Sequence, residues 1–218
     1  MKNLTIILIL VASVSGCNLK NKNDQILAKE VSFDDGVIEL LRKETKSEFT
    51  RLKTEIISVY PDREEKQIIE PNAIEFEING DNSLDLVLRL KDKLKPMGYY
   101  VFRSEQNFGY SKDKIAVIKT EDQFDILRYQ ATNGGNYDID TDSIINELKR
   151  WDEKYNLEIL GADFDWVEGQ FLNPPKNFTA LADKMYEFCP DIVDQGTGDI
   201  ETLEEELSQS NQLFLWWD

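Results

Sequence analysis

Residues 144–155 read IINELKRWDEKY and residues 157–168 read LEILGADFDWVE. In the first stretch Ile144, Leu148, Trp151 and Tyr155 recur at spacings of four, three and four, one continuous stripe along an α-helix. In the second, LEIL and ADFDWVE read as extended segments with Gly161 as a bulge or bend between them. If 162–168 is a strand, Asp163 and Asp165 share one face and Phe164 and Trp166 the other. Helix and strands in this arrangement predict an α+β fold, with antiparallel or mixed sheets and packed amphipathic helices.

The flanking segments extend this pattern. Upstream, YYVFR and KIAVIKT are two strands around a polar, glycine-containing turn at 104–113, and IEFEI at 74–78 alternates as a half-buried strand does. Between them Asn82 or Ser83 caps a helix with Leu84, Val87, Leu88 and Leu94 on one face, stopped by Pro96 and Gly98. Ser32 to Asp35 has the form of a capping box ahead of a long helix over 36–57 carrying Val37, Leu41, Phe49, Leu52 and Ile56. Tyr60, Pro61 and a charged run end that helix. Thr120 to Gln123 is a second box, opening a short helix through DILRYQ. Downstream, Asn177 or Thr179 starts a helix with Phe178, Leu181, Met185 and Phe188 in register, ended by Cys189 and Pro190. Asp199 caps a further helix bearing Ile200, Leu203 and Leu207, and LFLWWD reads as a strand that sends Trp216 and Trp217 to opposite sides.

The first residues, MKNLTIILILVASVSGCN, hold one lysine, an apolar run from Leu4 to Val14, and small residues before Cys17, the pattern of a secretory signal. The run is too short for a spanning helix, which needs ~20 apolar residues. Val14-Ser15-Gly16-Cys17 resembles the lipobox of bacterial lipoproteins, and the resemblance implies cleavage after residue 16 and a lipid on Cys17. Several acyl chains, each contributing about 0.8 kcal/mol per buried CH₂, would hold a soluble domain at a bilayer. Asn18 rather than an aspartate follows the cysteine, which leans towards the outer membrane over the inner. Residues 17–30 are polar, without turn signals or clear periodicity, and read as a solvated tether. The expected organisation is a signal at 1–16, the tether, an N-terminal α+β region at 31–120 and a C-terminal α+β domain at 121–218.

Cysteine use fits this address. Only Cys17 and Cys189 occur, so with Cys17 lipidated the fold has no disulfide. The formal charge of −17 is unevenly spread: residues 131–218 carry 5 Lys/Arg against 20 Asp/Glu. Such a field repels nucleic acid and anionic headgroups and attracts cations or a basic protein partner; the blander role of acidic residues is solubility. Histidine is absent, which removes the usual general base near neutral pH and the commonest transition-metal ligand.

Four pieces, ILRYQATNGGNYDIDTDSIINELKRWDEKY, LEILGADFDWVE, FCPDIVDQG and LFLWWD, resemble in order a bacterial family catalogued as domain of unknown function 4253. They span about 126–218. The resemblance implies a compact α+β domain and no activity or cofactor. The polar positions inside these pieces, Asn133, Asn136, Tyr137, Asp163, Asp165, Asp191, Gln195 and Asp218, are the places where a site is sought.

Each candidate has a structural competitor. Asp138, Asp140 and Asp142 have the opening spacing of a calcium loop, but Ser143 stands where glycine is needed and Lys149 where the bidentate glutamate is needed. The same acids suit a helix start capped by Asp140 or Thr141. Asn133-Gly134-Gly135-Asn136 has the composition of an anion-binding nest or of a plain turn, and Gln195 to Gly198 is a similar weak match. Cys189, among acids at a helix end and without a histidine, reads as a buried small apolar residue rather than a nucleophile. Asp163 and Asp165, with Glu168 or Asp191, would make a paired-carboxylate site for acid/base chemistry or for Ca²⁺ or Mg²⁺, against the commoner role of a solvated strand face. The leading expectation is a non-enzymatic binding or interaction module at a membrane surface. Its alternatives are a carboxylate-dependent, metal-assisted hydrolase and an immunity-type protein that binds a basic toxin.

Overall fold

The computed structural model describes residues 22–59 and 62–218, without the side chains of 58 and 59. The signal and Cys17 lie outside the described residues. The chain forms α1 (22–30), α2 (Asp35–Glu44), β1 (Thr50–Arg51), β2 (Thr54–Val59), β3 (Glu64–Ile69), β4 (Ala73–Ile78), α3 (Ser83–Leu94), β5 (Tyr99–Glu105) and β6 (Asp113–Lys119). There follow α4 (Asp125–Gln130), α5 (Thr141–Tyr155), β7 (Leu157–Ala162), β8 (Trp166–Phe171), α6 (Thr179–Phe188), a π-helical turn (Ile192–Thr197), α7 (Ile200–Ser210) and β9 (Gln212–Trp216).

Seven strands make one mixed sheet in the order β1-β4-β6-β5-β7-β8-β9, crossing position 120, while β2 and β3 form a separate antiparallel pair. Every neighbouring pair in the large sheet is antiparallel except β5 with β7. Its centre is covered on both faces. Ile115 and Val117 join the apolar layer of α1, α2 and α3, whereas Ala116 and Ile118 join that of α4, α5, α6 and α7. Burial on both faces is why KIAVIKT is a run of apolar residues rather than an alternation. Cys189 is a free, buried thiol.

The parallel seam between β5 and β7 has a single registered pair, Arg103 with Gly161, and the Gln130 side chain bridges it. Gln130, 3% exposed, donates to Ser104 O and Ala162 O, both at 2.9 Å. Arg103 on β5 makes a two-pronged pair with Glu168 on β8, and its guanidinium lies 3.7 Å from Asp113 and 3.4 Å from Ser83 Oγ. All four side chains are buried. A Cβ on Gly161 would come within 2.5 Å of Glu168 Oε1, so the bulge that the sequence placed at Gly161 also makes room for this carboxylate. Lys91 on α3 reaches Glu158 on β7 at 2.5 Å.

Several local expectations need correction. The helix expected over 36–57 ends at Glu44, with Thr45 extended, and the chain turns into β1 and β2. The apolar stripe skips from Leu41 to Phe49, and the β-branched run from Thr54 onward favours a strand. The charged run after Pro61 is β3, paired residue for residue with β2. Within 17–30, residues 22–30 are helical rather than a free tether: Asp24, Ala28 and Val31 form a buried stripe, and Asp24 takes a two-pronged bond from Arg42 at 2.6 Å. The buried face of α3 is centred on Leu86 and Leu90 with Val87 and Leu94, leaving Leu84 and Leu88 at its margin. The box at Ser32 does not form. Asp34 takes the N-cap place without a side-chain cap bond, and its carboxylate accepts from Tyr99 Oη instead. At the second box Phe124 holds the N-cap place, and Thr120 Oγ1 accepts from the Asp122 N–H.

Candidate functional site

The stripe of α5 is buried as its spacing requires, and Asp140 caps that helix by accepting from Ser143 N–H at 2.8 Å. Asp199 does the same for α7 through Thr202 N–H at 2.7 Å. Asp140 and Asp142 thus serve the helix start, while Asp138 closes the turn before it in the left-handed region. The glycines before them are not a left-handed nest: positive φ among glycines occurs at Gly98, Gly109 and Gly198. Gly134 is needed for close approach, since a Cβ there would lie 2.8 Å from the Trp217 ring.

Four of the polar positions singled out in the sequence meet at Asp191, which is 2% exposed. Its Oδ1 accepts from Tyr137 Oη at 2.6 Å and Gln195 Nε2 at 2.9 Å, and its Oδ2 accepts from the Asp218 N–H at 2.8 Å. Burial pushes this carboxyl up, but the three hydrogen bonds outweigh it and hold Asp191 below the usual aspartate range. The bond to Asp191, with some burial, pushes the Tyr137 phenol up to about 12. Three segments distant in sequence, the turn Gly135–Tyr137, the π-helical turn and the chain just after β9, are thereby tied at one carboxylate. Asn133 lies outside this cluster, its Nδ2 donating to Ala131 O and its N–H to Phe164 O in the β7–β8 turn, and Asn136 is exposed.

Asp163 and Asp165 are not on a strand face. β7 ends at Ala162 and β8 begins at Trp166, so both aspartates sit in the hairpin turn between them, closed by Asp163 N–H to Trp166 O at 3.0 Å. Asp163 shares its surroundings with Glu105 and Lys114, whereas Asp165 lies towards Asp218, and neither belongs to the Asp191 cluster. Among the described residues no three acidic or thiol side chains stand close enough together to hold a metal ion.

Burial pushes the Asp163 carboxyl up to about 6, against the hydrogen bond it accepts from Phe164 N–H. The folded chain therefore binds this proton more tightly than the unfolded one. The associated stability is present below about pH 4 and is lost as pH rises through about 6. Asp163→Asn keeps an acceptor for Phe164 and removes the charge. It is expected to stabilise the protein at pH 7 by about 1–2 kcal/mol, a bound of ~3 kcal/mol reduced for partial solvation. Urea denaturation at pH 4 and pH 7 checks this, and equal stability of both proteins at pH 7 would contradict it.

The other side of the π-helical turn walls an open groove of about 360 Å³ along β9. Met185, Ile192, Leu203 and Leu207 line it on one side, Phe214 and Trp216 on the other, with Glu206 and Gln212 at its margin. Phe214 stacks on Trp166 with ring centroids 5.9 Å apart and touches Trp216 at 5.8 Å, so the aromatic wall is continuous. A Cβ on Gly196 would meet the Trp216 ring at 2.5 Å, so only glycine lets the turn approach this closely. Cys189, the thiol pushed up to about 12 by burial, donates to Trp216 O and fixes the strand end. Sequence reasoning missed the groove because Met185, Leu203 and Leu207 are buried core residues that also border it, and helical periodicity does not tell a core residue beside a cleft from any other.

The fold and site define an α+β protein on one seven-stranded sheet with an aromatic groove at its edge strand. Residues 114–218 match the family described as "Domain of unknown function (DUF4253)". The matched segment begins within β6 and contains both the Asp191 cluster and the groove. No curated protein and no solved structure matches the chain.

Proposed function

We propose that this chain is a membrane-anchored lipoprotein whose C-terminal region is a non-enzymatic binding module, with the groove beside β9 as its docking element for a protein partner. One observation carries the docking assignment: the Tyr137 hydroxyl, the Gln195 amide and the Asp218 N–H all bond the buried Asp191 carboxylate, and what this cluster borders is an apolar, aromatic-walled groove. Donors gathered on one buried carboxylate hold a wall in place; aromatic and aliphatic side chains around an open volume are what a partner's anchoring residue fills. A π-helical turn at this position agrees, since such turns are frequent at functional sites. The anchor is supported by the signal-like opening and the residues around Cys17. No described helix is long and apolar enough to cross a membrane.

Two experiments test the reading. Random peptides displayed on phage and panned on the protein are expected to yield binders that lose at least about tenfold in affinity on Trp216→Ala, the loss typical of an anchoring contact. No binders, or binders indifferent to that substitution, would remove the groove from consideration. Cys17→Ser is expected to move the protein from the membrane to the soluble fraction, and an unchanged membrane fraction contradicts the anchor.

A further inference from the structure

We propose that the outer edge of β9 is a strand-addition site for an extended, lysine- or arginine-bearing segment of the partner. This rests on the groove reading above and specifies how the groove is used.

The backbone of β9 is oriented for it. Asn211 O accepts from Phe171 N–H and Trp217 N–H donates to Asp165 O, so the odd-numbered positions turn their backbone groups towards β8. Gln212, Phe214 and Trp216 therefore turn theirs outward; Ser210 Oγ takes the Gln212 N–H and Cys189 Sγ donates to Trp216 O, which leaves Gln212 O, both backbone groups of Phe214 and the Trp216 N–H to meet an added strand. β9 is the end of the sheet, and the groove runs beside that outward edge from Ser210 and Gln212 to Gly196 and Trp216. Strand addition needs these two things together: outward N–H and C=O groups for the peptide main chain, here the short run from Gln212 O to the Trp216 N–H centred on Phe214, and a pocket for alternate side chains.

Edge strands are ordinarily blunted by lysine, proline, a bulge or extreme shortness. The opposite edge follows this rule, since β1 has two residues. The β9 edge does not: Gln212 to Trp216 reads QLFLW, without charge or proline, in unbroken register with β8. An uncharged edge beside an apolar groove is a liability unless something pairs with it.

Charge selects the occupant. From residue 185 onward the chain has 9 Asp/Glu and no Lys or Arg, and Glu206 stands on the groove itself. A second copy pairing β9 against β9 would bring two such surfaces face to face. A segment with lysine or arginine flanking an apolar residue meets the opposite charge, with an attraction that salt screens.

The probe is a synthetic heptapeptide alternating lysine and valine, titrated into the full protein while tryptophan emission is followed. Saturable one-to-one binding is expected, weakened at least about tenfold by N-methylation of the peptide amides that face β9 and several-fold by Glu206→Lys. Hydrogen exchange at the Phe214 amide should slow on binding. Salt raised from about 50 to about 200 mM should weaken the complex. Equal binding of the N-methylated peptide overturns strand addition while leaving the groove reading intact. Binding indifferent to Trp216→Ala overturns the groove reading as well. Equal binding of a glutamate–valine heptapeptide overturns the basic partner, absence of any binding overturns the proposal, and concentration-dependent dimerisation lost on Phe214→Ala replaces the peptide with a second copy.

Discussion

Arg103→Ala is expected to lower stability by about 3–5 kcal/mol, the range for removing one partner of a buried ion pair. The loss is not that of one favourable contact. Arg103 is 7% exposed and faces two carboxylates, Glu168 at 7% and Asp113 at 2%. Without the guanidinium both remain buried and repel each other. Burial already pushes the Glu168 carboxyl up, with Arg103 pulling it down and Asp113 adding to the rise. In the variant the downward pull is gone, so Glu168 takes up a proton at higher pH than before. A carboxyl raised in the folded state contributes stability that is lost as pH rises through its folded pKa, so the deficit of Arg103→Ala is expected to be largest at neutral pH and to shrink on acidification. Urea denaturation at pH 7 and pH 5 measures both numbers. Adding Glu168→Gln should recover part of the loss at pH 7, and a deficit that is independent of pH would show that packing rather than charge is responsible.

The same network shows where the sequence stops being informative. Helix α5 was legible because its core contacts are periodic, and Asp140 and Asp199 because a cap is decided within three residues. The strands KIAVIKT and YYVFR were legible as strands, since their apolar content exceeds what a half-exposed sheet needs. Arg103 and Glu168 are 65 positions apart, and nothing local marks either as buried. The β2–β3 pair was read as the end of a helix and a charged loop because its side chains are largely exposed, so their polarity follows solvent rather than a packing face. Helix α1 was missed for the opposite reason: its buried stripe includes an aspartate, Asp24, whose burial depends on Arg42 at 18 positions' distance.

The candidate site was legible in part, and unevenly. Tyr137, Asp191, Gln195 and Asp218 were among the polar positions inside the pieces that resemble the family, and they do meet. Their role was not legible, because whether a carboxylate faces a substrate or three donors of its own chain is a fact of tertiary structure. Asp163 and Asp165 were assigned a strand face from alternation alone, while the chain places a hairpin turn there, and a turn of this kind leaves no periodic trace.

Asp191→Ala is the second large effect, expected at about 2–4 kcal/mol, because it leaves the Tyr137 hydroxyl, the Gln195 amide and the Asp218 N–H without their shared acceptor. For a chain of this size the melting temperature should fall by roughly 5–15 °C. Asp191→Asn is the more discriminating variant. Its Oδ1 can still accept on one side, but its amide then presents a donor to a donor on the other, so a smaller loss of about 1–3 kcal/mol is expected. The pH dependence separates charge from shape. Asp191 lies below the usual aspartate range when folded, so its contribution is complete above the unfolded pKa of about 4 and is lost as pH falls through the depressed folded value. Wild type should therefore lose this stability on acidification, whereas Asp191→Asn should lack that part of the acid limb. The groove supplies the last readout: the cluster holds the π-helical turn and the end of β9, so either variant should loosen Trp216 and reduce the near-ultraviolet circular dichroism of the aromatic wall in the folded state. If Asp191→Ala leaves that signal and the peptide affinity of the groove unchanged, the cluster does not position the groove, and its four residues serve the stability of the fold alone.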